Sequence, residues 1–408
     1  MNIARERGLL ASATDQNPAW RNLLDCRNLL FLQGPVGPFF DRLAHRLQSG
    51  GAAVTRIAFN GGDLWDSRML PAVPFCGHLS EWRGFFSDFL VRRDIRGVAL
   101  FGQSRCYHAV ALEVCEQHGV ATFVFEEGYF RPGYTTLEHH GINGRSTTMK
   151  MYKWSGNRPP APAPARGVFG RTASFAMLHY LAISHRRPTF PHYEHHRPTS
   201  LFLYARWWVV GWMRRWAWAR SNRVLCQRLF LQGTPYFFVP LQFHEDSQIR
   251  LFSPFSCNHE FLSALLNSFA EHAPKGTQLV IKQHPHARGS GEPRAYLRQR
   301  ADELGLSGRV HFLVEGPVGA LVANAQGVVT VNSTTGLLAL EAGVPLFTMG
   351  DSVYRDAPGV DQGELDTFWA DPHRHLHPSG AKSFIAALKG LTQVPLDLYA
   401  SRLAPLEL

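Results

Sequence analysis

Apolar strands that alternate with helical stretches constrain the fold of this chain more than any other feature of its sequence. In the first third, apolar runs at 28–34, 52–59, 97–102 and 121–125 are separated by segments long enough to form a helix. A helical connection carries the chain back to the end of the sheet where the previous strand began, which a tight turn cannot do. Strands joined in this way therefore pair in parallel. The alternation therefore predicts an α/β fold with a Rossmann-like sheet.

The same alternation resumes in the last part of the chain. Strands are predicted at 235–242, 277–282, 309–313, 327–331 and 344–349. Between the two halves, the sequence "NRPPAPAPARG" is rich in proline and alanine, which is typical of a linker. We therefore predict two Rossmann-like domains that face a cleft.

This organisation divides the chain into four predicted segments. They are an N-terminal Rossmann-like domain (1–155), a linker with a basic aromatic helical insertion (156–230), a C-terminal Rossmann-like domain (231–390) and a C-terminal tail (391–408). Hydrophobic residues make up 45% of the chain and charged residues 18%, so each domain can bury a core of its own.

Cysteine usage and hydropathy favour a cytoplasmic protein. The six cysteines are scattered without a CxxC pair, which is typical of a reducing compartment. The sequence contains no continuous apolar segment long enough for a secretory signal or a transmembrane helix. We expect a protein of the cytoplasm that does not cross a membrane.

The positive charge is concentrated in the middle of the chain. Residues 151–230 contain thirteen lysines and arginines but a single acidic residue, whereas the net charge of the whole chain is +10. Within this segment, residues 201–220 contain five of the ten tryptophans. On a helix, a stripe of tryptophans with neighbouring arginines suits a membrane surface with anionic head groups. The candidate membrane residues are Trp208, Trp212, Trp216, Arg214 and Arg215.

Two other interpretations of this segment are open. A helix packed between the domains, with arginines that extend to solvent, would have a similar composition. A nucleic-acid-binding role is disfavoured, because the sequence contains no recognition helix or RNA-binding motif and the charge lies beside apolar tryptophans.

In open α/β sheets, ligands bind beyond the carboxyl ends of the strands, and the unusual residues of the N-terminal half lie there. The stretches are "QGPVGP", "NGGD", "GQSR" and "EEG". The first lacks the spacing of a dinucleotide-binding or P-loop motif, so its glycines are predicted to let the backbone approach an acceptor. The candidate acceptor-binding residues are Gln33, Gly34, Pro35, Gly37, Asp63 and Arg131.

Two adjacent acids, Glu126 and Glu127, follow the strand predicted at 121–125. A carboxylate at this edge can act as a general base or stabilise a glycosyl cation. Neighbouring side chains on extended backbone point in opposite directions, so only one acid is expected to face a substrate. Glu127 is favoured, Glu126 is the second choice, and a solvated loop pair is the alternative.

The C-terminal half offers a candidate anion site. In "NSTTG", Ser333 or Thr334 is predicted to cap a helix, and the free N–H groups of a helix N-terminus bind anions. In "KQHPHAR", Lys282 and His284 bring further donors, and an imidazole can stabilise a departing phosphate. A metal site at the two histidines of this stretch is disfavoured because no third ligand is evident.

An acidic pair with glycine, then His-Pro, then a Ser/Thr pair resembles the motif set of bacterial GT-B glycosyltransferases that use CMP-sugars, including the sialyltransferases. The blocks "FLQGPVGPFFDRLAHRL", "EEGYFRPGYTTLE", "PLQFHEDSQI" and "NSTTGLLALEAGVP" are similar to those of the KpsS/LipB-type capsule synthesis family. The similarity spans nearly the whole chain apart from 155–230. It implies a GT-B fold, with an N-terminal acceptor domain and a C-terminal donor domain.

The resemblance also implies an activity and partners. Members are metal-independent β-Kdo transferases that move Kdo from CMP-Kdo onto a phosphatidylglycerol-type lipid and so start the capsular linker; the family was once described as capsule export proteins. It implies a peripheral protein of the inner membrane, with no cofactor beyond the donor. A second Kdo transferase and the capsule export machinery are implied partners. Transfer with retention is expected if the product keeps the β-configuration of the donor.

Residue roles follow from the same motifs. The resemblance places Glu126 and Glu127 on the acidic motif that assists the acceptor. The residues implied to bind the donor or its phosphate are Lys282, His284, Pro285, Ser333, Thr334, Thr335, Gln242, Asp246 and Ser247. Two alternatives stay open: transfer of another CMP-sugar such as sialic acid, and a non-catalytic capsule lipid-binding or export protein.

Overall fold

The computed structural model describes residues 17–149, 168–195, 201–242, 247–290 and 293–400. The chain divides into two compact units. Unit 1 comprises Met1–Thr199 and Ala386–Leu408, and unit 2 comprises Ser200–Ile385.

The described part of unit 1 is built on a mainly parallel sheet. Its strands are β1 (Asn28–Phe31), β2 (Ala53–Ala58), β3 (Ala72–Pro74), β4 (Gly97–Phe101), β5 (Ala121–Glu127), β6 (Thr135–Glu138) and β13 (Gln393–Val394). The strand order is β3-β2-β1-β4-β5-β6-β13. The first five strands pair in parallel, whereas β6 runs antiparallel to β5 and β13 antiparallel to β6.

Helices cover both faces of this sheet. They are α1 (Pro18–Asp25), α2 (Phe39–Ser49), α3 (Gly61–Trp65), α4 (Leu79–Arg92), α5 (Cys106–His118) and α6 (Val168–His185). Successive side chains of a strand point to opposite faces. Leu29 and Phe31 of β1 accordingly join the core under α1 and α2, while Leu30 joins the core under α4 and α5. Burial on both faces explains the continuous apolar strands of the sequence.

Unit 2 repeats this arrangement with a parallel sheet. Its described strands are β7 (Tyr236–Pro240), β8 (Gln278–Lys282), β9 (Val310–Leu313), β10 (Gly327–Thr330), β11 (Leu346–Thr348) and β12 (Val360–Asp361), in the order β9-β8-β7-β10-β11-β12. The helices are α7 (Leu201–Gln232), α8 (Ser247–Phe252), α9 (Asn258–His272), α10 (Arg294–Glu303), α11 (Val318–Ala323), α12 (Thr335–Ala342) and α13 (Leu365–Ala370). Helix α14 (Pro378–Thr392) begins in unit 2 and ends in unit 1, because the boundary lies between residues 385 and 386. The predicted α/β class with two Rossmann-like units is confirmed.

The strand orders locate the sites where ligands are expected. In each sheet the order reverses once, between β1 and β4 in unit 1 and between β7 and β10 in unit 2. A crevice opens at such a switch point because the adjacent connections run to opposite faces of the sheet, and ligands bind beyond the strand ends there. The loops after β1, β4, β7 and β10 are therefore the first places to look for function.

The unit boundaries differ from those predicted at 155/156, 230/231 and 390/391. Helix α6, which the sequence placed in the linker segment, packs on α3 of unit 1, where the His179 Nδ1 atom lies 2.7 Å from Asp66 Oδ2. Helix α7 belongs to unit 2. The predicted C-terminal tail contributes β13 to the sheet of unit 1. Composition marks a linker but does not reveal which unit the segments beside it pack on.

Candidate functional site

Glu126 and Glu127 are the last two residues of β5 and lie within the sheet. The strand was predicted to end at residue 125, but antiparallel pairing with β6 continues through both acids. Glycine at position 128 is needed for the hairpin that follows, because a Cβ atom there would lie 2.1 Å from the carbonyl oxygen of Tyr134. The paired strands fix the backbone of both acids at the carboxyl edge of the sheet.

The two carboxylates have different surroundings. The Tyr399 hydroxyl donates to Glu127 Oε1 at 2.7 Å, and an Arg131 guanidinium nitrogen lies 3.6 Å from Glu127 Oε2. Glu126 Oε1 accepts a hydrogen bond from the Glu127 amide at 3.1 Å. Burial raises the pKa of Glu126 to about 7, against the opposing effect of Arg105 and Arg131. Glu126 can therefore exchange a proton near neutral pH, whereas Glu127 is held between a hydroxyl and a cation.

Gln33 and Asp63 bind each other instead of facing solvent. The Gln33 Nε2 atom donates to both Asp63 carboxylate oxygens at 3.3 and 3.1 Å and to the Tyr193 hydroxyl at 3.2 Å. The same carboxylate accepts the Phe59 amide at 2.9 Å. Both side chains are buried, at 3% and 2% exposure. This corrects the acceptor-binding prediction for the pair: their polar atoms are used to join the loops after β1 and β2.

The glycines of "QGPVGP" approach protein side chains, which also differs from the predicted acceptor contact. A Cβ atom on Gly37 would lie 2.7 Å from the Phe175 ring of α6, and one on Gly34 would lie 2.9 Å from the Phe40 ring. Pro35 is buried. Of the candidate acceptor residues, Arg131 keeps an accessible side chain, with 54% exposure.

Arg105 is the last residue of the "GQSR" stretch, and the sequence alone predicts no binding or catalytic role for it. Its guanidinium donates to the Gly34 carbonyl at 3.3 Å and contributes to the electrostatic environment of Glu126. It thereby links the loops after β1 and β4 at the switch point of unit 1. The sequence feature that could have identified Arg105 is its position in the loop that follows the buried strand β4.

At the switch point of unit 2, Gln242 and Asn332 form a reciprocal pair. Gln242 Nε2 donates to Asn332 Oδ1 at 2.7 Å, and the Asn332 amide donates to Gln242 Oε1 at 3.2 Å. Asn258 Nδ2 donates to the Gln242 carbonyl at 3.1 Å. These bonds tie the loop after β7 to the loop after β10. Asn332 opens the "NSTTG" stretch, but no local pattern indicates that it binds Gln242.

Ser333 caps the helix that starts at this switch point. Its Oγ atom accepts the Thr335 amide at 3.2 Å, and its own amide donates to Thr330 Oγ1 at 3.2 Å. Thr334 makes no side-chain capping bond. Of the two residues that the sequence offered as caps, Thr334 occupies the N-cap position, whereas Ser333 supplies the hydroxyl that bonds the first helical amide. Helix α12 is eight residues long and begins at Thr335, so its first N–H groups and two hydroxyls lie at one strand end.

The neighbouring strand β8 ends in Lys282, which is buried at 4% exposure. Its Nζ atom donates to the Gln283 carbonyl at 3.2 Å. Burial lowers the pKa of Lys282, and Glu315 opposes this effect. His284 is partly buried and Pro285 is exposed at the start of a short 3-10 turn. The ammonium group of Lys282 is thus bonded to the residue that immediately precedes the His-Pro turn.

Two predicted donor residues fall wholly or partly outside the description. Asp246 is not among the described residues. Ser247 begins α8, but its side chain is not described. Within the described ranges, no group of three or more histidine, cysteine, aspartate or glutamate residues is arranged to hold a metal ion.

Helix α7 exposes the predicted tryptophan stripe. Trp208, Trp212 and Trp216 are 64%, 62% and 80% exposed. The two arginines assigned to the membrane also have partners within unit 2: Arg214 donates to the Arg288 carbonyl at 3.0 Å, and Arg215, whose side chain is 59% exposed, has its Nε atom 3.4 Å from Glu315. Helical periodicity rotates positions 214 and 215 away from residue 216 and toward the body of unit 2. No helix in the described part of the chain has the length and apolar character needed to span a bilayer.

Helix α7 also supports the loop that contains the His-Pro turn. The backbone of Gly289 packs so closely on this helix that a Cβ atom would lie 1.8 Å from the Trp207 carbonyl oxygen. Arg288 forms an ion pair of 2.5 Å with Glu315, which also receives Arg215. The loop after β8 is therefore held by a close backbone contact and by a shared carboxylate.

This contact gives a stability prediction. Gly289→Ala is expected to lower the free energy of unfolding by about 1–3 kcal/mol, because the added methyl group must displace backbone atoms. Gly276→Ala is the matched control, since a Cβ atom there has no neighbour within 4 Å. Urea titration of both variants measures the difference. Equal unfolding free energies for the two variants would show that the helix and the loop are not in this close contact.

Residues 96–396 match the family model described as "Capsule polysaccharide biosynthesis protein". The chain is 32% identical over 369 residues to the capsule polysaccharide modification protein LipB of Neisseria meningitidis serogroup A, covering 86% of this chain and 87% of that protein. It is 33% identical over 360 residues to the capsule polysaccharide export protein KpsS of Escherichia coli, covering 87% and 92%. A solved structure, the beta Kdo 2,7 transferase KpsC of Thermosulfurimonas dismutans, is similar with a TM-score of 0.42 and 15% identity over 91% of each chain. The chain belongs to the capsule polysaccharide biosynthesis protein family, as the motifs predicted.

Proposed function

We propose that this protein is a β-Kdo transferase that moves Kdo from CMP-Kdo onto a phosphatidylglycerol-type lipid, with retention of configuration, to start the capsular linker. The observation that carries the proposal is the capped N-terminus of α12 at the switch point of unit 2. There, the hydroxyls of Ser333 and Thr335 lie 3.3 Å apart at the positive end of the helix dipole, and the Ser333 Oγ atom also accepts the Thr335 amide. Membership of a capsule biosynthesis family makes a nucleotide-activated sugar the natural anionic ligand for such a site.

In this proposal, unit 2 binds the nucleotide. The phosphate of CMP accepts hydrogen bonds from the hydroxyls of Ser333 and Thr335 and is attracted by the positive end of the α12 dipole. The Gln242–Asn332 pair fixes the two loops that form the site. His284 stabilises the phosphate as it departs from the sugar, and the buried charge of Lys282 adds a favourable field.

Unit 1 supplies the acids and receives the acceptor. Glu127, oriented by Tyr399 and Arg131, stabilises positive charge at the anomeric carbon as the bond to the phosphate breaks. Glu126 takes the proton of the acceptor hydroxyl, a role that suits a carboxyl with a pKa of about 7. Because successive side chains of an extended strand point to opposite faces, Glu127 contacts the reacting sugar and Glu126 takes the proton through one bridging water.

The acceptor phosphate is assigned to Arg131. Its guanidinium is 54% exposed and lies 3.6 Å from Glu127 Oε2, so it can bind an anion next to the reacting groups. Arginine binds phosphate with paired hydrogen bonds, which would orient the glycerol hydroxyl toward the acids. The product would then pass to a second Kdo transferase and to the capsule export machinery.

A lipid acceptor requires contact with a bilayer, and we assign this contact to the stripe Trp208, Trp212 and Trp216. Replacing all three by serine is expected to weaken binding to phosphatidylglycerol vesicles by roughly tenfold or more, because interfacial tryptophans are lost. Trp65→Ser, at an exposed tryptophan of unit 1, is the control. Vesicle co-sedimentation provides the measurement. Unchanged binding of the triple variant would exclude this stripe as the membrane contact.

The function is tested with purified protein, CMP-Kdo and lysophosphatidylglycerol, followed by mass spectrometry of the lipid. A mass increase of one Kdo residue is the expected result. Transfer from CMP-sialic acid but not from CMP-Kdo would show that the donor is CMP-sialic acid. Lipid binding without transfer from either donor would favour a non-catalytic export role.

A further inference from the structure

A groove runs along unit 2 where the C-terminal half of α7 meets α10 and the edge strand β9. It consists of two adjoining depressions of about 260 Å³ and about 550 Å³ that share Trp218, Leu225 and His311. The larger depression has the size of a typical small-molecule site. Strands β7 and β8 separate β9 from β10 in the sheet. The groove is therefore distinct from the proposed phosphate site at the end of β10.

The groove is strongly cationic. Arg220 and Arg228 line it from α7, and Arg294 and Arg298 line it from α10. None of the described residues that line it is acidic. His311 adds a buried Nε2 atom that has no hydrogen-bond partner within the described ranges. Such a concentration of donors without a carboxylate is complementary to an anion.

The walls of the same groove are apolar. Trp218 and Leu225 of α7 lie opposite Leu297 of α10, and Phe312 of β9 completes the wall. The guanidinium carbon of Arg294 lies 3.4 Å from the centre of the Trp218 ring, so charge and apolar surface are directly joined. A ligand that satisfies both features has an anionic group and a hydrocarbon portion.

We propose that this groove binds one anionic glycerophospholipid of the bilayer, with its phosphate at the arginines and an acyl chain along Trp218 and Leu225. The inference rests on the proposed membrane location of the enzyme and adds a lipid site separate from the acceptor site. The exposed rim of the groove favours a ligand that comes from a bilayer. Val224 borders the groove with 57% exposure, on the same helix as the exposed Trp216. A lipid held here would anchor α7, the helix that supports the loop after β8.

A nucleic acid is less suited to the groove. Single strands bind proteins by stacking bases on open aromatic faces. The guanidinium of Arg294 covers one face of the Trp218 ring. The guanidinium carbon of Arg294 also lies 5.3 Å from the centre of the Phe312 ring. Leu225 and Leu297 are aliphatic and offer shape-complementary packing to an acyl chain.

The test uses the full-length protein and dihexanoyl-phosphatidylglycerol below its critical micelle concentration, with binding measured by titration calorimetry. The titration is carried out in the Arg131→Gln background, so that the proposed acceptor site does not contribute, and this protein is expected to bind one molecule. The double variant Arg220→Gln/Arg298→Gln is expected to bind about tenfold more weakly, because two exposed cations are removed from the phosphate. The matched control Arg92→Gln/Arg96→Gln removes the same charge from the surface of unit 1 and is expected to leave binding unchanged.

Further arms distinguish the sources of the ligand chemistry. Equal affinity for inorganic phosphate would overturn the proposal in favour of a simple anion site. Equal affinity for dihexanoyl-phosphatidylcholine, or tighter binding of an oligonucleotide, would also overturn it. An unchanged affinity of the Arg220→Gln/Arg298→Gln variant for dihexanoyl-phosphatidylglycerol would also overturn the proposal.

The groove can be judged independently of the transferase proposal. Calorimetric binding does not require turnover, so a protein that binds the lipid through the groove but transfers no Kdo would retain this inference and lose the proposed function. Conversely, full Kdo transfer to a soluble acceptor without lipid binding at the groove would contradict the lipid site but leave the proposed transferase function in place. The unfolding midpoint of the double variant is expected to match that of the wild type, because both arginines are exposed.

Discussion

Replacing Glu127 by glutamine is expected to lower the rate of Kdo transfer about a thousandfold. Glutamine keeps the shape of the side chain and its hydrogen bond to Tyr399, but it removes the negative charge that stabilises the reacting sugar. Loss of one preorganised electrostatic group typically costs a factor of this size. Single-turnover kinetics with CMP-Kdo and a soluble acceptor measure the effect.

Glu126→Gln is expected to act differently. Transfer should fall about a hundredfold at pH 8, because the proton acceptor is lost. In the wild type, the rate should rise with pH and level off above pH 7, since burial raises the pKa of Glu126 to about 7 and the base is active only when deprotonated. The Glu126→Gln variant should lack this rise, whereas Glu127→Gln should retain it.

Glu116→Gln, at an exposed position of α5, is the control for both acids and is expected to leave rate and pH profile unchanged. A wild-type rate in Glu127→Gln would remove this residue from the reaction. A pH profile of Glu126→Gln that still rises to pH 7 would assign the titration to another group.

Ser333→Ala is expected to raise the dissociation constant of CMP about tenfold to a hundredfold. The serine hydroxyl is positioned to donate to the phosphate, and its Oγ atom also accepts the Thr335 amide at 3.2 Å. A hydrogen bond to a charged group is worth about 1.5–3 kcal/mol. The alanine variant loses both interactions, so the start of α12 is also less well ordered.

Titration calorimetry with CMP measures this effect, and Ser383→Ala on α14 is the control, since that hydroxyl is exposed and bonds only within its helix. An unchanged CMP affinity in Ser333→Ala would show that the phosphate binds elsewhere. The free energy of unfolding of the variant should fall by no more than about 2 kcal/mol, the usual cost of a lost helix cap.

The sequence was sufficient to predict the class of the fold. Most strands of the two parallel cores lie within one or two residues of their predictions. These elements are apolar along their length and bounded by glycine or polar residues, so hydrophobic pattern alone identifies them. The short strands β3, β6, β12 and β13 escaped prediction because two to four residues carry too little pattern.

The candidate site was only partly predictable. The acids, the His-Pro turn and the Ser/Thr pair stood out because polar residues followed buried strands. Their partners did not, because they come from distant parts of the chain: Tyr399 reaches Glu127 across 272 positions, and Asn332 reaches Gln242 across 90. Such pairs depend on how the strands assemble, which no local pattern encodes.

Burial explains why several predicted acceptor residues contact other parts of the protein. Gln33 and Asp63 looked like exposed ligands because each is polar and follows a strand. In the structure they saturate each other beneath α6, and the glycines of the same loop accommodate Phe40 and Phe175. A polar residue at a strand end is available to a substrate only when no other part of the chain covers it.

In the proposed mechanism, unit 2 binds the nucleotide while the acids of unit 1 act on the reacting groups. This division of roles is tested by measuring CMP affinity in the Glu127→Gln and Ser333→Ala variants side by side. We expect Glu127→Gln to bind CMP as tightly as the wild type although its transfer activity is lost, whereas Ser333→Ala loses CMP affinity. An equal loss of CMP affinity in the two variants would contradict this division of roles.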